Sequence, residues 1–141
     1  TPRSNRRQRQ MCIRDRIYTA VYEGLKAGIA EMRPGRTNKD AADALIAKAD
    51  EFGMGSKFLS LFIAHGVGIG ANEPPYIGET LPGAPTYEFK PGMCFAVEPL
   101  VWIDGVRGGG GVRLEEQVLV TEDGPHVMSR APFDEKLILT S

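Results

Sequence analysis

A histidine lies among glycines and prolines near the middle of the chain, in the segment His65-Gly66-Val67-Gly68-Ile69-Gly70-Ala71-Asn72-Glu73-Pro74-Pro75. Flanking glycines let the backbone bend sharply there, and a bend of this kind leaves the imidazole facing a cavity. His65 is therefore a candidate ligand or catalytic group, and core packing does not account for it.

Two carboxylates occur within apolar stretches further along the chain. Glu98 ends the run Met93-Cys94-Phe95-Ala96-Val97, and Glu115 precedes a second run that contains Val118, Leu119 and Val120. Moving an unpaired carboxylate out of water costs several kcal/mol, so each of these groups needs a cation nearby. The alternative is a pair of surface glutamates on a solvated sheet face, which the apolar continuation through Trp102 disfavours.

Residues 93–102 and 112–121 are predicted to form an antiparallel hairpin around the glycines at 108–111. Side chains alternate along a strand, so Cys94, Ala96 and Glu98 share a face, as do Arg113, Glu115 and Gln117. If the two strands pair symmetrically, Glu98 and Glu115 come close together, where like charges destabilise a sheet unless a cation lies between them. The pattern therefore predicts a metal site.

Several motifs occur together in a fixed order and resemble the carboxy-terminal part of the pita-bread metallopeptidases, the family of prolidase, aminopeptidase P and methionine aminopeptidase. The resemblance covers roughly residue 17 to the end of the chain. The motifs that carry it are His65-Gly66-Val67-Gly68, Glu73-Pro74-Pro75, Lys90-Pro91-Gly92-Met93, Glu98-Pro99, Val112-Arg113-Leu114-Glu115 and Val118-Leu119-Val120-Thr121-Glu122-Asp123-Gly124.

The resemblance implies an α+β fold of the pita-bread (creatinase/aminopeptidase) type, here incomplete, with an antiparallel sheet covered by helices. It also implies two divalent metal ions, manganese, cobalt, zinc or iron, held by two aspartates, one histidine and two glutamates. His65, Glu98 and Glu115 match three of these five ligands, and Glu98 would also shuttle a proton. The two aspartates would lie upstream of Ile17, where this sequence lacks them, so we expect a truncated form.

Relatives in the family usually carry a second histidine seven residues after the ligand histidine, where it donates a hydrogen bond to the developing oxyanion. This chain has Asn72 at that position. An asparagine amide still donates a hydrogen bond but cannot carry a proton. The predicted catalytic residues are therefore Glu98 and Asn72, and no organic cofactor site is predicted.

The resemblance predicts a hydrolase of Xaa-Pro peptides in which a metal-bridging hydroxide attacks the peptide carbonyl. Two alternatives stay open. The first is a metal-dependent dimethylsulfoniopropionate lyase of the same fold, favoured by Asn72, by Glu116-Gln117-Val118-Leu119 and by Pro132-Phe133-Asp134. The second is a pita-bread module without catalysis that serves as a binding surface.

Composition and charge set the outer limits. The chain has 141 residues, 42% of them hydrophobic and 25% charged, and no apolar run approaches the roughly 20 residues of a membrane span. We expect a cytoplasmic protein that acts on a short peptide or small molecule, binds neither nucleic acid nor membrane, and forms a possible homodimer. The two cysteines, Cys12 and Cys94, indicate no disulfide framework.

Residues 1–16 carry a net charge of +5, whereas the whole chain carries a net charge of −1. They resemble translated adapter sequence, so we expect a non-native or disordered segment there and a family domain over 17–141. A basic arm of this kind is otherwise typical of nucleic-acid binding.

Apolar spacing predicts a first helix over 17–32. A capping box formed by Thr37 and Asp40 predicts a second helix, closed by Gly53. Residues 58–64 are expected to form a strand that leads into the histidine turn, and 72–87 an irregular loop. His126 is expected in a surface turn, and the aromatics Tyr76, Tyr87 and Trp102 are expected in the core or at its rim more than in a substrate pocket.

Overall fold

The computed structural model describes residues 2–57, 63–78, 85–106 and 110–138, with side chains from Ile13 onward. Two α-helices, α1 (Pro2–Ala30) and α2 (Asn38–Asp50), precede the strands, and short 3₁₀ turns lie at Gly55–Lys57 and Glu135–Leu137. The strands are β1 (Ala64–Gly66), β2 (Glu73–Ile77), β3 (Cys94–Val97), β4 (Leu100–Trp102), β5 (Gly111–Arg113), β6 (Glu116–Thr121) and β7 (Gly124–Val127).

Helix α1 begins earlier than the sequence pattern predicted. Its backbone is helical from Pro2, because arginine and glutamine propagate a helix well and no glycine or proline interrupts the segment before Gly24. The disordered tail expected over 1–16 is thus helical from residue 2, while its expected non-native origin remains a prediction. The predicted apolar stripe is present, since Ile17, Val21 and Leu25 are fully buried.

Helices α1 and α2 pack closely at two glycines of α1. A Cβ on Gly28 would lie 3.1 Å from the Leu45 Cβ, and one on Gly24 would lie 3.1 Å from the Leu45 carbonyl oxygen. The predicted capping box of α2 is confirmed: the Thr37 side chain accepts from the Asp40 N–H, and the Asp40 carboxylate accepts from the Thr37 N–H. The C-cap of α2 is Glu51, two residues before the predicted Gly53, whose φ of 71° instead lies in the turn that follows the helix.

Five antiparallel strands form one sheet in the order β2-β1-β3-β6-β7, and β4 and β5 form a separate pair. The predicted hairpin is confirmed, but each of its strands is interrupted, at Glu98-Pro99 and at Leu114-Glu115. Both halves keep one register, because Val97 pairs with Glu116 and Leu100 pairs with Arg113. One sheet face joins both helices in a single core, to which the strands contribute Phe95, Val97, Val118 and Val120.

Two local predictions are wrong, and a third lies partly outside the described residues. The loop predicted over 72–87 contains β2, whose prolines are tolerated because β2 is an edge strand that bulges opposite His65 and Gly66. His126 lies in β7 opposite Leu119 and not in a turn, although it is exposed as expected. The strand predicted over 58–64 has its residues 58–62 outside the described part of the chain.

Of the helices that the structure describes, none is long and apolar enough to cross a membrane.

Candidate metal centre

His65 lies in β1, in the middle of the sheet, and not in the glycine bend that the sequence predicted, which begins only after Gly66. Strand β1 pairs with β2 on one side and with β3 on the other, which places His65 opposite both Tyr76 and Ala96. The residue is 7% exposed. Its Nδ1 lies 3.0 Å from the Gly66 carbonyl oxygen, and this contact fixes the plane of the ring.

Glu98 follows β3 and faces His65. Its backbone N–H donates to the Ile63 carbonyl oxygen at 2.8 Å, so the β1–β3 ladder continues one step beyond the strand. The Glu98 side chain is 14% exposed, and its Oε1 lies 3.2 Å from His65 Nε2. Arg113 Nη1 donates to the other carboxylate oxygen, Oε2, at 3.0 Å.

Both imidazole nitrogens of His65 face oxygen atoms that accept hydrogen bonds. A neutral imidazole has one N–H, so donation from Nδ1 to Gly66 leaves the Nε2 lone pair directed at the Glu98 carboxylate. Either a second proton on the ring or a cation between Nε2 and Oε1 removes this repulsion. A metal ion shared by the histidine and the carboxylate is thus one of the two arrangements that satisfy this contact.

The separation of these two atoms also fits a shared ion. Metal–nitrogen and metal–oxygen bonds of about 2.1 Å place two ligand atoms roughly 3.0 to 3.4 Å apart at octahedral or tetrahedral angles. The observed 3.2 Å between His65 Nε2 and Glu98 Oε1 lies in that interval, and an N–H···O hydrogen bond has the same length. These two residues are therefore compatible with a divalent metal, as one part of its ligand set.

Glu115 and Asn72 are not in contact with this pair. Extending the β3–β6 register by one step places Glu115 opposite Glu98, yet the Glu115 side chain is exposed. Asn72 is exposed in the bend before β2. Within the described residues, no group of three or more histidine, cysteine or acidic side chains could hold a metal. Two of the three predicted ligands thus meet, and Glu115 as the third remains a prediction.

The loop that leads from His65 to Asn72 is wrapped around the Glu73 carboxylate. Gly70 N–H donates to Glu73 Oε2 at 2.8 Å, and a Cβ added to Gly68 would collide with Glu73 Oε1. Ile69, between these glycines, is fully exposed. The sequence analysis gave Glu73 no role. The available signal was its place shortly after Gly68 and Gly70, where an acidic side chain can accept hydrogen bonds from the backbone of the loop.

Arg113 is the second residue that sequence reasoning missed. The alternation of side chains placed it on the face of Glu115 and Gln117, but the predicted counter-ion of Glu98 was a metal. In the structure the guanidinium reaches diagonally across the two strands to Glu98. A sequence signal existed, because diagonal cross-strand neighbours lie within reach of a long side chain.

Comparison with known proteins agrees with the fold. Residues 7–122 match the model of metallopeptidase family M24, and the chain therefore belongs to that family. The predicted incomplete pita-bread fold is confirmed by its structural neighbours. The prolidase structure from Pyrococcus furiosus superposes with a TM-score of 0.72 and 31% identity, over 83% of this chain and 32% of that one.

Two sequence relatives belong to different functional classes. The Xaa-Pro dipeptidase of Pyrococcus furiosus is 34% identical over 111 residues, which cover 77% of this chain and 29% of the relative. A dimethylsulfoniopropionate lyase of Roseobacter denitrificans is 38% identical over 134 residues, which cover 88% of this chain and 28% of the relative. The chain thus spans less than a third of the length of these relatives.

Proposed function

We propose that the complete protein is a metal-dependent hydrolase of short Xaa-Pro peptides. The observation that carries this proposal is the His65–Glu98 pair, whose 3.2 Å contact fits two ligands of one divalent ion. Membership of a metallopeptidase family and similarity to an Xaa-Pro dipeptidase support the same reaction.

Each residue has a proposed role. His65 and Glu98 hold the metal, while Glu115 and two aspartates upstream of Ile17 in the complete protein supply the remaining ligands. A bound divalent metal lowers the pKa of water and polarises the scissile carbonyl. Glu98 Oε2 accepts a proton from the attacking water and passes it to the leaving amine, once Arg113 has moved away.

Asn72 is proposed to bind the substrate carbonyl. It lies at the end of the loop that Glu73 holds in place, and its amide donates a hydrogen bond to the developing oxyanion. Because an amide cannot exchange a proton, all proton transfer in this proposal passes through Glu98.

The test is hydrolysis of Gly-Pro, Ala-Pro and Ala-Pro-Ala by the complete protein loaded with Mn²⁺ or Co²⁺. Proline release is expected from the dipeptides, with Gly-Ala as the control that lacks proline. A protein that carries both aspartates and binds metal, but cleaves none of these peptides, would refute the proposal.

A lyase acting on dimethylsulfoniopropionate is the second candidate, and the extent of the lyase similarity favours it. That similarity covers 88% of this chain, against 77% for the Xaa-Pro dipeptidase. The segment Pro132-Phe133-Asp134 is also anchored to α1: Asp134 N–H donates to Tyr18 Oη at 2.9 Å, and the Phe133 ring packs edge-on against Tyr22 at 5.4 Å.

Gas chromatography of dimethyl sulfide separates the two enzymes. Release from dimethylsulfoniopropionate without proline release from peptides would assign the lyase, and the reverse would assign the peptidase. Loss of both activities in a protein that lacks the aspartates would leave a binding module. The cytoplasmic location and the homodimer remain predictions, and light scattering of the purified protein tests the latter.

A further inference from the structure

The carboxylate of Glu98 has a positively charged partner that belongs to the chain itself. Leu100 pairs with Arg113 across β4 and β5, so Arg113 lies diagonally opposite Glu98. Its Nη1 donates to Glu98 Oε2 at 3.0 Å, while Oε1 faces His65. Both oxygens of the carboxylate are therefore in use.

The two partners differ in how much they depend on the contact. The Glu98 side chain is 14% exposed and the Arg113 side chain is 53% exposed. A carboxylate at that depth needs a partner, whereas a half-exposed guanidinium can return to water at small cost. Separation of the pair therefore costs Glu98 more than Arg113, and a metal ion that takes the place of the guanidinium removes that cost.

We propose that Arg113 is a positioning residue that neutralises Glu98 before metal binds and competes with the metal for the Glu98 carboxylate. This inference rests on the proposed metal site. The buried carboxylate of Glu98 requires a cation nearby, and Arg113 satisfies this requirement in the absence of metal. Metal binding then releases the guanidinium toward solvent at the mouth of the site.

The experiment compares the 141-residue chain with Arg113→Gln, Arg113→Lys and a control, Arg33→Gln. Arg33 is exposed in the turn that follows α1, remote in sequence from the site. Two quantities are measured: the Tm of the metal-free protein by circular dichroism, and the Kd for Co²⁺ by titration with CoCl₂, followed by visible absorption.

Arg113→Gln is expected to move the two quantities in opposite directions. The metal-free Tm falls because Glu98 loses its counter-ion, and Co²⁺ binds about tenfold more tightly because its competitor is gone, a coupling of ordinary size between two sites. Arg113→Lys keeps the charge and falls between Arg113→Gln and the unaltered chain in both readouts. Arg33→Gln changes neither.

Unchanged or weaker Co²⁺ binding by Arg113→Gln would overturn the competition, even if the metal-free Tm falls, because that result assigns Arg113 a structural role alone. If Arg113→Gln does not fold, Co²⁺ binding by Arg113→Lys that is no tighter than that of the unaltered chain has the same meaning. Absence of Co²⁺ binding in every variant would also overturn it. The peptide assays test the proposed function separately. Proline release by the complete protein, together with a Co²⁺ Kd that Arg113→Gln leaves unaltered, would refute this inference and still support the hydrolase.

Discussion

Replacing Gly68 with alanine tests whether the Glu73 carboxylate shapes the loop beside the metal centre. A Cβ at position 68 would collide with Glu73 Oε1 and displace the carboxylate from the Gly70 N–H, 2.8 Å away. A hydrogen bond to a charged group contributes about 1.5 to 3 kcal/mol, and the lower end applies because Glu73 is half-buried. Alanine in place of glycine stabilises the protein by roughly 0.5 kcal/mol, because it lowers the conformational entropy of the unfolded chain.

The expected result for Gly68→Ala is therefore a loss of about 1 kcal/mol in the free energy of unfolding, measured by urea denaturation followed by circular dichroism. The φ of Gly68 lies outside the left-handed region, so alanine causes no backbone strain of its own.

The matched control is the same substitution in a Glu73→Ala background. There the collision is absent, and Gly68→Ala should stabilise the protein by about 0.5 kcal/mol. The sign of the effect thus reverses between the two backgrounds. Equal effects in both, whether stabilising or neutral, would refute the idea that the loop is built around Glu73.

Four further results are expected. Thr37→Ala lowers the free energy of unfolding by about 1 kcal/mol through loss of the N-cap, which urea denaturation at pH 7 checks; an unchanged value would contradict the cap. Separately, hydrogen bonds from the Thr37 backbone and side chain lower the pKa of Asp40, so the stabilisation by the Asp40 carboxylate is present above its unfolded-state pKa and is lost as pH falls through the lower folded-state pKa, which urea titrations from pH 7 to pH 2 check. Gly28→Leu separates α1 from α2, where a Cβ already meets Leu45 at 3.1 Å, and should cost about 1 to 3 kcal/mol by thermal unfolding, whereas an equal Tm would contradict that packing. Glu98→Gln keeps the shape of the side chain but removes its charge, and calorimetry should find Mn²⁺ bound at least tenfold more weakly, since metal ligation favours the carboxylate; unaltered affinity would exclude Glu98 as a ligand.

Local sequence signals predicted the elements that depend on local interactions. The capping box of Thr37 and Asp40 formed as expected because its two hydrogen bonds join residues three positions apart. Symmetric pairing about the glycines between the two strands predicted that Glu98 lies near Glu115, and the observed register, with Ala96 opposite Gln117, agrees with it.

The remaining features depend on contacts that join distant segments. Strand β2 was missed because Pro74 and Pro75 are typical of loops, and their place at a sheet edge is decided by the position of β1. The diagonal reach of Arg113 to Glu98 depends on side-chain conformation, on which alternation carries no information. For the same reason, the sequence placed Glu115 opposite Glu98 but did not predict that its side chain is exposed.

The central claim is that His65 and Glu98 hold a divalent metal. It is tested most directly by an anomalous difference map from a crystal of this chain soaked in MnCl₂. The account predicts a peak within about 2.3 Å of both His65 Nε2 and a carboxylate oxygen of Glu98. A peak elsewhere on the surface, or none while Arg113 still occupies the Glu98 carboxylate at saturating manganese, would contradict it.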